Sequence, residues 1–169
     1  MIAELFLCCA MAMPAVAHDK PLIHDEITFA RRFLNLQRRA LLVGGKPADL
    51  KIFRVYHFDV YAVFPELNGH SGKHILIGKL AELPFAQEAF QQIYWQHKNP
   101  EKLNNQLDWL NQARQLLEPE GFLFFDVKQY PVWHHRLMNS NWERLPFLFG
   151  SNSVWRKPKK NGKCLCESA

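Results

Sequence analysis

Few residues in this chain have the type and setting to do chemistry. His97 follows the segment Phe90–Trp95, which reads as a strand. A histidine just past a strand of an open α/β sheet stands where such sheets bind ligands, and it can act as a general base. The other reading is a loop histidine with no special role. His134 and His135 are adjacent, so they point in different directions on a helix or strand, and a metal there would need ligands from elsewhere. His18, Asp19, His24 and Asp25 pose the same question. Cys8, Cys9, Cys164 and Cys166 sit at the two ends of the chain; neither pair has the spacing of a zinc site, and no metal is expected. Tyr94, Trp95, Trp133, Trp142 and Trp155 either line a pocket for a planar substrate or complete a core, and large aromatics more often do the latter. The sequence has no Ser-His-Asp spacing, no G-x-S-x-G and no P-loop, so nothing in it supports a hydrolase or a nucleotidase.

Positioning these residues falls to a chain of 169 residues, enough for one domain with one core. Hydrophobic residues make up 48% and charged residues 22%, an ordinary globular balance that argues against both disorder and a membrane bundle. Residues 22–39 read as a helix, because Ile23, Ile27, Ala30 and Leu34 fall at three- and four-residue spacing. Ala40-Leu41-Leu42-Val43, ended by Gly44-Gly45, reads as a buried strand and a glycine turn. Residues 50–64 alternate and predict one or two strands, and His74–Ile77 predicts another. A loop follows around Pro84, then a strand over residues 90–95. Asn99 and Pro100 open a helix striped by Leu103, Leu107, Leu110 and Leu117. Glu118-Pro119-Glu120-Gly121 is expected to end that helix in a turn before the strand Phe122–Val127. That strand is apolar on both faces and belongs inside a parallel sheet covered by helices. Beyond it, Trp133–Met138 suggests a short helix, and residues 146–155 a loop or one irregular strand.

The net charge is +5, concentrated in Arg31, Arg32, Arg38 and Arg39 and in the tail Arg156, Lys157, Lys159, Lys160 and Lys163. Such clusters admit a nucleic acid or an anionic membrane as partner, but no nucleic-acid motif accompanies them, and a solvated helix face with a basic tail is the plainer reading. Residues 1–21 form an N-terminal apolar segment, either a helix or signal-like. Ala15-Val16-Ala17 resembles an export cleavage site, but no Lys or Arg precedes the apolar run, so the expectation is cytoplasmic. The run is too short for a transmembrane helix. The domain proper spans residues 22–155, and residues 156–169 are expected to form a disordered basic tail.

Three stretches resemble the class I S-adenosylmethionine-dependent methyltransferases of the type-11 kind. Leu42-Val43-Gly44-Gly45-Lys46-Pro47-Ala48 is similar to D-V-G-C-G-P-G after that family's first strand. Glu82-Leu83-Pro84-Phe85 with Phe90 is similar to the L-P-F…F-D stretch before its fourth strand. Arg114–Leu123 is similar to R-x-L-K-P-G-G-x-L before its fifth strand. The resemblance covers roughly residues 40–128. It implies an α/β, Rossmann-like three-layer sandwich with a mostly parallel sheet, methyl transfer to an unknown acceptor, and S-adenosylmethionine as cofactor.

On this resemblance Gly44 and Gly45 border the cofactor, Asp59 or Glu66 holds the ribose, Leu80 and Glu82 border the adenine, and His97 faces the methyl acceptor. A side chain at Gly44 is expected to block the cofactor without disturbing the fold. The chain departs from the family where Leu42, Lys79 and Gln91 replace acids and where Lys46 and Ala48 replace glycines. Each lost charge-assisted hydrogen bond weakens binding by about 1.5–3 kcal/mol. The set therefore admits a second reading, a non-catalytic binding or scaffold protein of the same fold. The two strands that usually close the family's sheet have no clear place after residue 128, so the sheet is expected to lack some C-terminal strands.

Overall fold

The structure is a computed structural model that describes residues 24–36, 39–64, 74–78, 80–97, 103–149 and 151–159. Its organising element is a seven-stranded sheet flanked on both faces by helices. The strands are β1 (Ala40–Gly44), β2 (Val60–Phe64), β3 (Ile75–Ile77), β4 (Phe90–Gln96), β5 (Leu117–Asp126), β6 (Glu143–Phe149) and β7 (Asn152–Arg156). They lie in the order β3-β2-β1-β4-β5-β7-β6. The first five in that order run parallel, and β7 enters antiparallel between β5 and β6.

Alternation along the central strands splits the core into two layers, as expected of strands covered on both faces. Leu41, Val43, Ile93, Trp95, Leu123 and Phe125 face one way, onto α3 (Leu103–Leu116) and α4 (Pro131–Met138). Ala40, Leu42, Tyr94 and Phe124 face the other, onto α1 (His24–Arg32) and α2 (Pro47–Val55). The βαβ unit β4–α3–β5 expected from the sequence is present, with Ile93 opposite Leu123 and Trp95 opposite Phe125. Leu110, Ala113 and Leu116 form its buried helical stripe. Asn99 and Pro100 lie outside the described residues, as do residues 1–23, the four cysteines, Arg38, Glu66, Lys79, Lys160 and Lys163.

Several sequence expectations need correction. Residues 50–55 are helical, not extended. Leu50 and Phe53 are buried one turn apart while Val55 is exposed, a three-residue spacing that the apolar content of the stretch disguised. His57, at a φ of 58°, ends the turn that follows α2. The first helix stops at Arg32 and does not reach residue 39; Asn35 sits at a φ of 50°, where a helix cannot continue. Glu118-Pro119-Glu120-Gly121 belongs to β5, whose pairing with β4 slips between Phe90 and Gln92. Glu120 takes a φ of 61° there, so the turn-like residues make an irregularity in the strand. The sheet does not lack its C-terminal strands. Both β6 and β7 form, and Arg156, which the sequence assigns to the tail, is the last residue of β7. The N–H of Lys157 donates to the carbonyl of Gly121 at 2.8 Å. Pro146 within β6 and the slip between Arg144 and Leu148 explain why this hairpin shows no clean alternation.

Candidate functional site

Parallel strands end together, and here Gly44, Phe64, Ile77 and Gln96 bring the carboxyl ends of β1 to β4 to one edge of the sheet. In open α/β sheets this edge binds ligands. Gly44 and Gly45 turn the chain away from it at φ values of 74° and 90°. A Cβ on Gly44 would lie 2.8 Å from both the Cα and the backbone N of His97. A side chain there would therefore disturb the junction of β1 with β4 itself, contrary to the expectation that the fold would be indifferent to it. A Cβ on Gly45 would meet Asp49 Oδ2 at 2.9 Å.

Asp49 is the third residue of α2, and its Oδ2 accepts the backbone N–H of Lys46 at 2.7 Å. The carboxylate thus caps the helix from inside and fixes the glycine turn. The side chain is fully buried, and burial pushes its carboxyl above the usual range, opposed by the Lys46 N–H and the Lys46 charge. Glu26, on the inner face of α1, is 1% exposed and accepts a hydrogen bond from Asn152 Nδ2 at the start of β7. Burial pushes its carboxyl up to about 7; the Asn152 bond resists, and the charges of Asp25 and Asp49 reinforce the shift. Asn152 pairs with Asp126 at the carboxyl end of β5, so Glu26 also lies at the ligand edge.

His97 stands at the end of β4, half-buried, with its ring 5.1 Å from that of Trp109. Its carbonyl accepts the Tyr130 hydroxyl at 2.9 Å, and the same hydroxyl accepts Trp95 Nε1 at 2.9 Å. Burial pushes the Tyr130 phenol up to about 12, so it stays a donor at any physiological pH. Trp133 Nε1 donates to the Gln106 carbonyl at 2.6 Å and ties α4 to α3. Tyr94, Trp95, Trp133, Trp142 and Trp155 are all buried, as core side chains rather than pocket walls.

Leu80 and Glu82 fall in a short 3-10 turn, Leu80–Glu82, just beyond β3 at the same edge. Leu80 packs onto the core beside Leu83 and Phe85, while Glu82 is exposed. The structure thus brings Gly44, Gly45, Leu80, Glu82 and His97 to one edge. Asp59 is not with them. It precedes β2, and its carbonyl accepts the N–H of Ala40 at the start of β1. Four residues of strand, about 13 Å, separate that level from Gly44. Its carboxylate pairs instead with Arg39 at 3.4 Å and His74 at 3.3 Å, beside a cavity of ≈ 290 Å³ lined by Leu50, Arg54 and Ile75. The assignment of Asp59 to the ribose is therefore withdrawn. It followed from reading residues 50–64 as one or two strands, which put Asp59 inside a strand rather than ahead of β2.

Sequence reasoning missed Glu26 and Asp49. The readable signals were an acid four residues before buried Ala30 on an apolar helix face, and an acid three residues after Lys46 next to Pro47. Among the described residues no group of three or more His, Cys, Asp or Glu side chains could hold a metal ion, and no helix is long and apolar enough to cross a membrane.

No protein-family model matches the chain, and no curated protein matches it significantly. Solved structures do. A Burkholderia thailandensis 1,6-didemethyltoxoflavin-N1-methyltransferase, solved with 1,6-didemethyltoxoflavin and S-adenosylhomocysteine, superposes with a TM-score of 0.60 at 15% identity, covering 83% of this chain and 80% of its own. A Methanococcus maripaludis protein proposed to be an S-adenosyl-L-methionine-dependent methyltransferase gives 0.55 at 13% identity over 86% and 87%. The Thermus thermophilus 16S rRNA N2 G1207 methyltransferase gives 0.55 at 13% identity over 83% and 40%. This chain has the class I methyltransferase fold. Its sheet holds seven strands among the described residues, with β7 antiparallel between β5 and β6.

Proposed function

We propose that this protein is an S-adenosylmethionine-dependent methyltransferase acting on an acceptor that enters at His97. The observation that carries the reading is the Gly44–Gly45 turn, held at positive φ against the end of β4 and capped by Asp49. It leaves backbone, with no side chain, at the edge where this fold takes its ligand. When bound, S-adenosylmethionine supplies an electrophilic methyl group on a sulfonium centre. The chain's own part is to align the acceptor and to take up its proton, and in this reading His97 serves as the base. Leu80 and Glu82 would border the adenine. The ribose acid passes from Asp59 to Glu66, two residues beyond the end of β2. Residence in the cytoplasm is part of the same reading. The neighbours named above include a 16S rRNA methyltransferase and a toxoflavin-precursor methyltransferase, so the fold does not choose between nucleic-acid and small-molecule acceptors.

One set of residues favours a second reading. Leu42, Lys46 and Gln91 are not the acids and glycine of the family pattern, and neither is Lys79. The N–H of Lys46 is already taken by Asp49. A non-catalytic binding or scaffold protein would keep the fold and tolerate these losses. Calorimetric titration with S-adenosylmethionine and S-adenosylhomocysteine separates the two. Micromolar affinity supports the enzyme; no heat at millimolar ligand removes it and leaves the scaffold.

A further inference from the structure

The family pattern puts an acid at the end of β1, and this chain has Leu42 there. Two other carboxylates stand near that end. Glu26 reaches the edge from α1 and Asp49 from α2, and they are 1% and 0% exposed. Each is held by one oxygen, Glu26 through Asn152 and Asp49 through the Lys46 N–H. The remaining oxygens, Glu26 Oε2 and Asp49 Oδ1, are shielded from solvent and have no hydrogen-bond partner. A buried carboxylate oxygen left this way is costly unless something donates to it. The groups lie close enough for the charge of Asp49 to act on Glu26. The nearby Tyr94 hydroxyl does not help, because it donates to Gln92 Oε1 at 2.7 Å. A Cβ on Gly45 would meet Asp49 Oδ2 at 2.9 Å, so Asp49 flanks the same glycine turn assigned to the cofactor, with Glu26 within reach of its charge.

We propose that Glu26 and Asp49 form a relocated acidic anchor that takes the ammonium group of the cofactor's amino-acid end, in place of the acid missing at Leu42. This rests on the S-adenosylmethionine reading above. The chemistry selects an ammonium over a divalent ion. A metal of that kind needs more oxygen ligands than two carboxylates provide, and no third acidic or histidine ligand converges among the described residues. An ammonium carries three N–H donors and matches two orphaned carboxylate oxygens with one donor to spare.

The test compares S-adenosylhomocysteine with 5′-methylthioadenosine, which shares the nucleoside and thioether but lacks the ammonium and carboxylate. Both are titrated calorimetrically into the full chain and into Glu26→Gln and Asp49→Asn. These substitutions keep an acceptor for Asn152 and for the Lys46 N–H, and thermal melts verify that both variants fold. The expected result is a loss of S-adenosylhomocysteine affinity of about tenfold or more in either variant, with methylthioadenosine affinity unchanged within about twofold. Equal weakening of both ligands, or no weakening of either, overturns the anchor while leaving the methyltransferase reading in place. If the parent chain binds neither ligand, the proposed function fails and the anchor fails with it.

Discussion

Replacing Gly44 with alanine tests the geometry of the glycine turn most directly. Two costs are separable. At a φ of 74° an alanine pays the left-handed penalty of about 1–2 kcal/mol. Its Cβ would also sit 2.8 Å from the backbone of His97, and neither β1 nor β4 can move without breaking the pairing of Gly44 with Gln96. Overpacking against fixed backbone adds about 1–3 kcal/mol. The sum, about 2–5 kcal/mol, is a large share of a typical domain's stability of about 5–15 kcal/mol. At about 2–4 °C per kcal/mol for a domain of this size, Gly44→Ala should melt roughly 5–15 °C below the parent. Gly78 is the control: its φ is 133°, but a Cβ there meets nothing within 4 Å. Gly78→Ala should therefore carry backbone strain without collision and lose less. Scanning calorimetry of the three proteins reads both terms. A Gly44→Ala melt within about 2 °C of the parent would refute the close approach of Gly44 to His97.

Glu26 gives a prediction with a definite sign. Its carboxyl is about 7 in the folded chain against 4.5 for the ordinary group, so the folded state holds more protons between those values. Stability from this group is complete at the low end and is lost as pH rises through 7. Glu26→Gln keeps an acceptor for Asn152 and cannot ionise. Its stability advantage in urea melts should be near zero around pH 4.5 and grow to on the order of 3 kcal/mol above pH 7; an advantage flat with pH would refute the buried acid. Tyr130→Phe strips a partner from both Trp95 Nε1 and the His97 carbonyl. It should cost about 2–4 kcal/mol in urea denaturation, and a loss under about 1 kcal/mol would mean that water replaces the hydroxyl. Among the described residues, Asp59→Asn breaks partly exposed pairs with Arg39 and His74. It should shift stability by less than about 1 kcal/mol and leave S-adenosylhomocysteine binding unchanged by calorimetry; weakened binding would return Asp59 to the site.

How much of this was legible in the sequence depended on how strongly each segment's pattern was tied to one periodicity. Phe122–Val127 is apolar on both faces, and only a covered strand satisfies that, so the parallel centre and the β4–α3–β5 unit could be read directly. Gly44 and Gly45 could be read as a turn because nothing else follows a buried strand so abruptly. Leu50–Val55 could not, because Ile52, Phe53 and Val55 are equally at home in a strand, and only packing of Leu50 and Phe53 against α1 and the sheet decides for a helix. That one error started the strand too early and carried Asp59 into the wrong site. The last hairpin was hidden by a proline in β6 and by polar residues that face solvent at the sheet edge. Glu26 was hidden for a different reason: an acid among apolar residues on a helix is read as its solvent face until a partner 126 residues away shows otherwise.

The position of β7 has a consequence for how the molecule is made. During synthesis the outer edge of β5 has no strand to pair with until Arg156 has left the ribosome, because the last-made strand is the one that slots against it. Until then the nascent chain carries an open row of backbone donors and acceptors along its most phenylalanine-rich strand, which favours joining with other chains. A chain cut before β7 would keep every residue assigned to the glycine turn and still be expected to precipitate rather than yield a smaller folded domain.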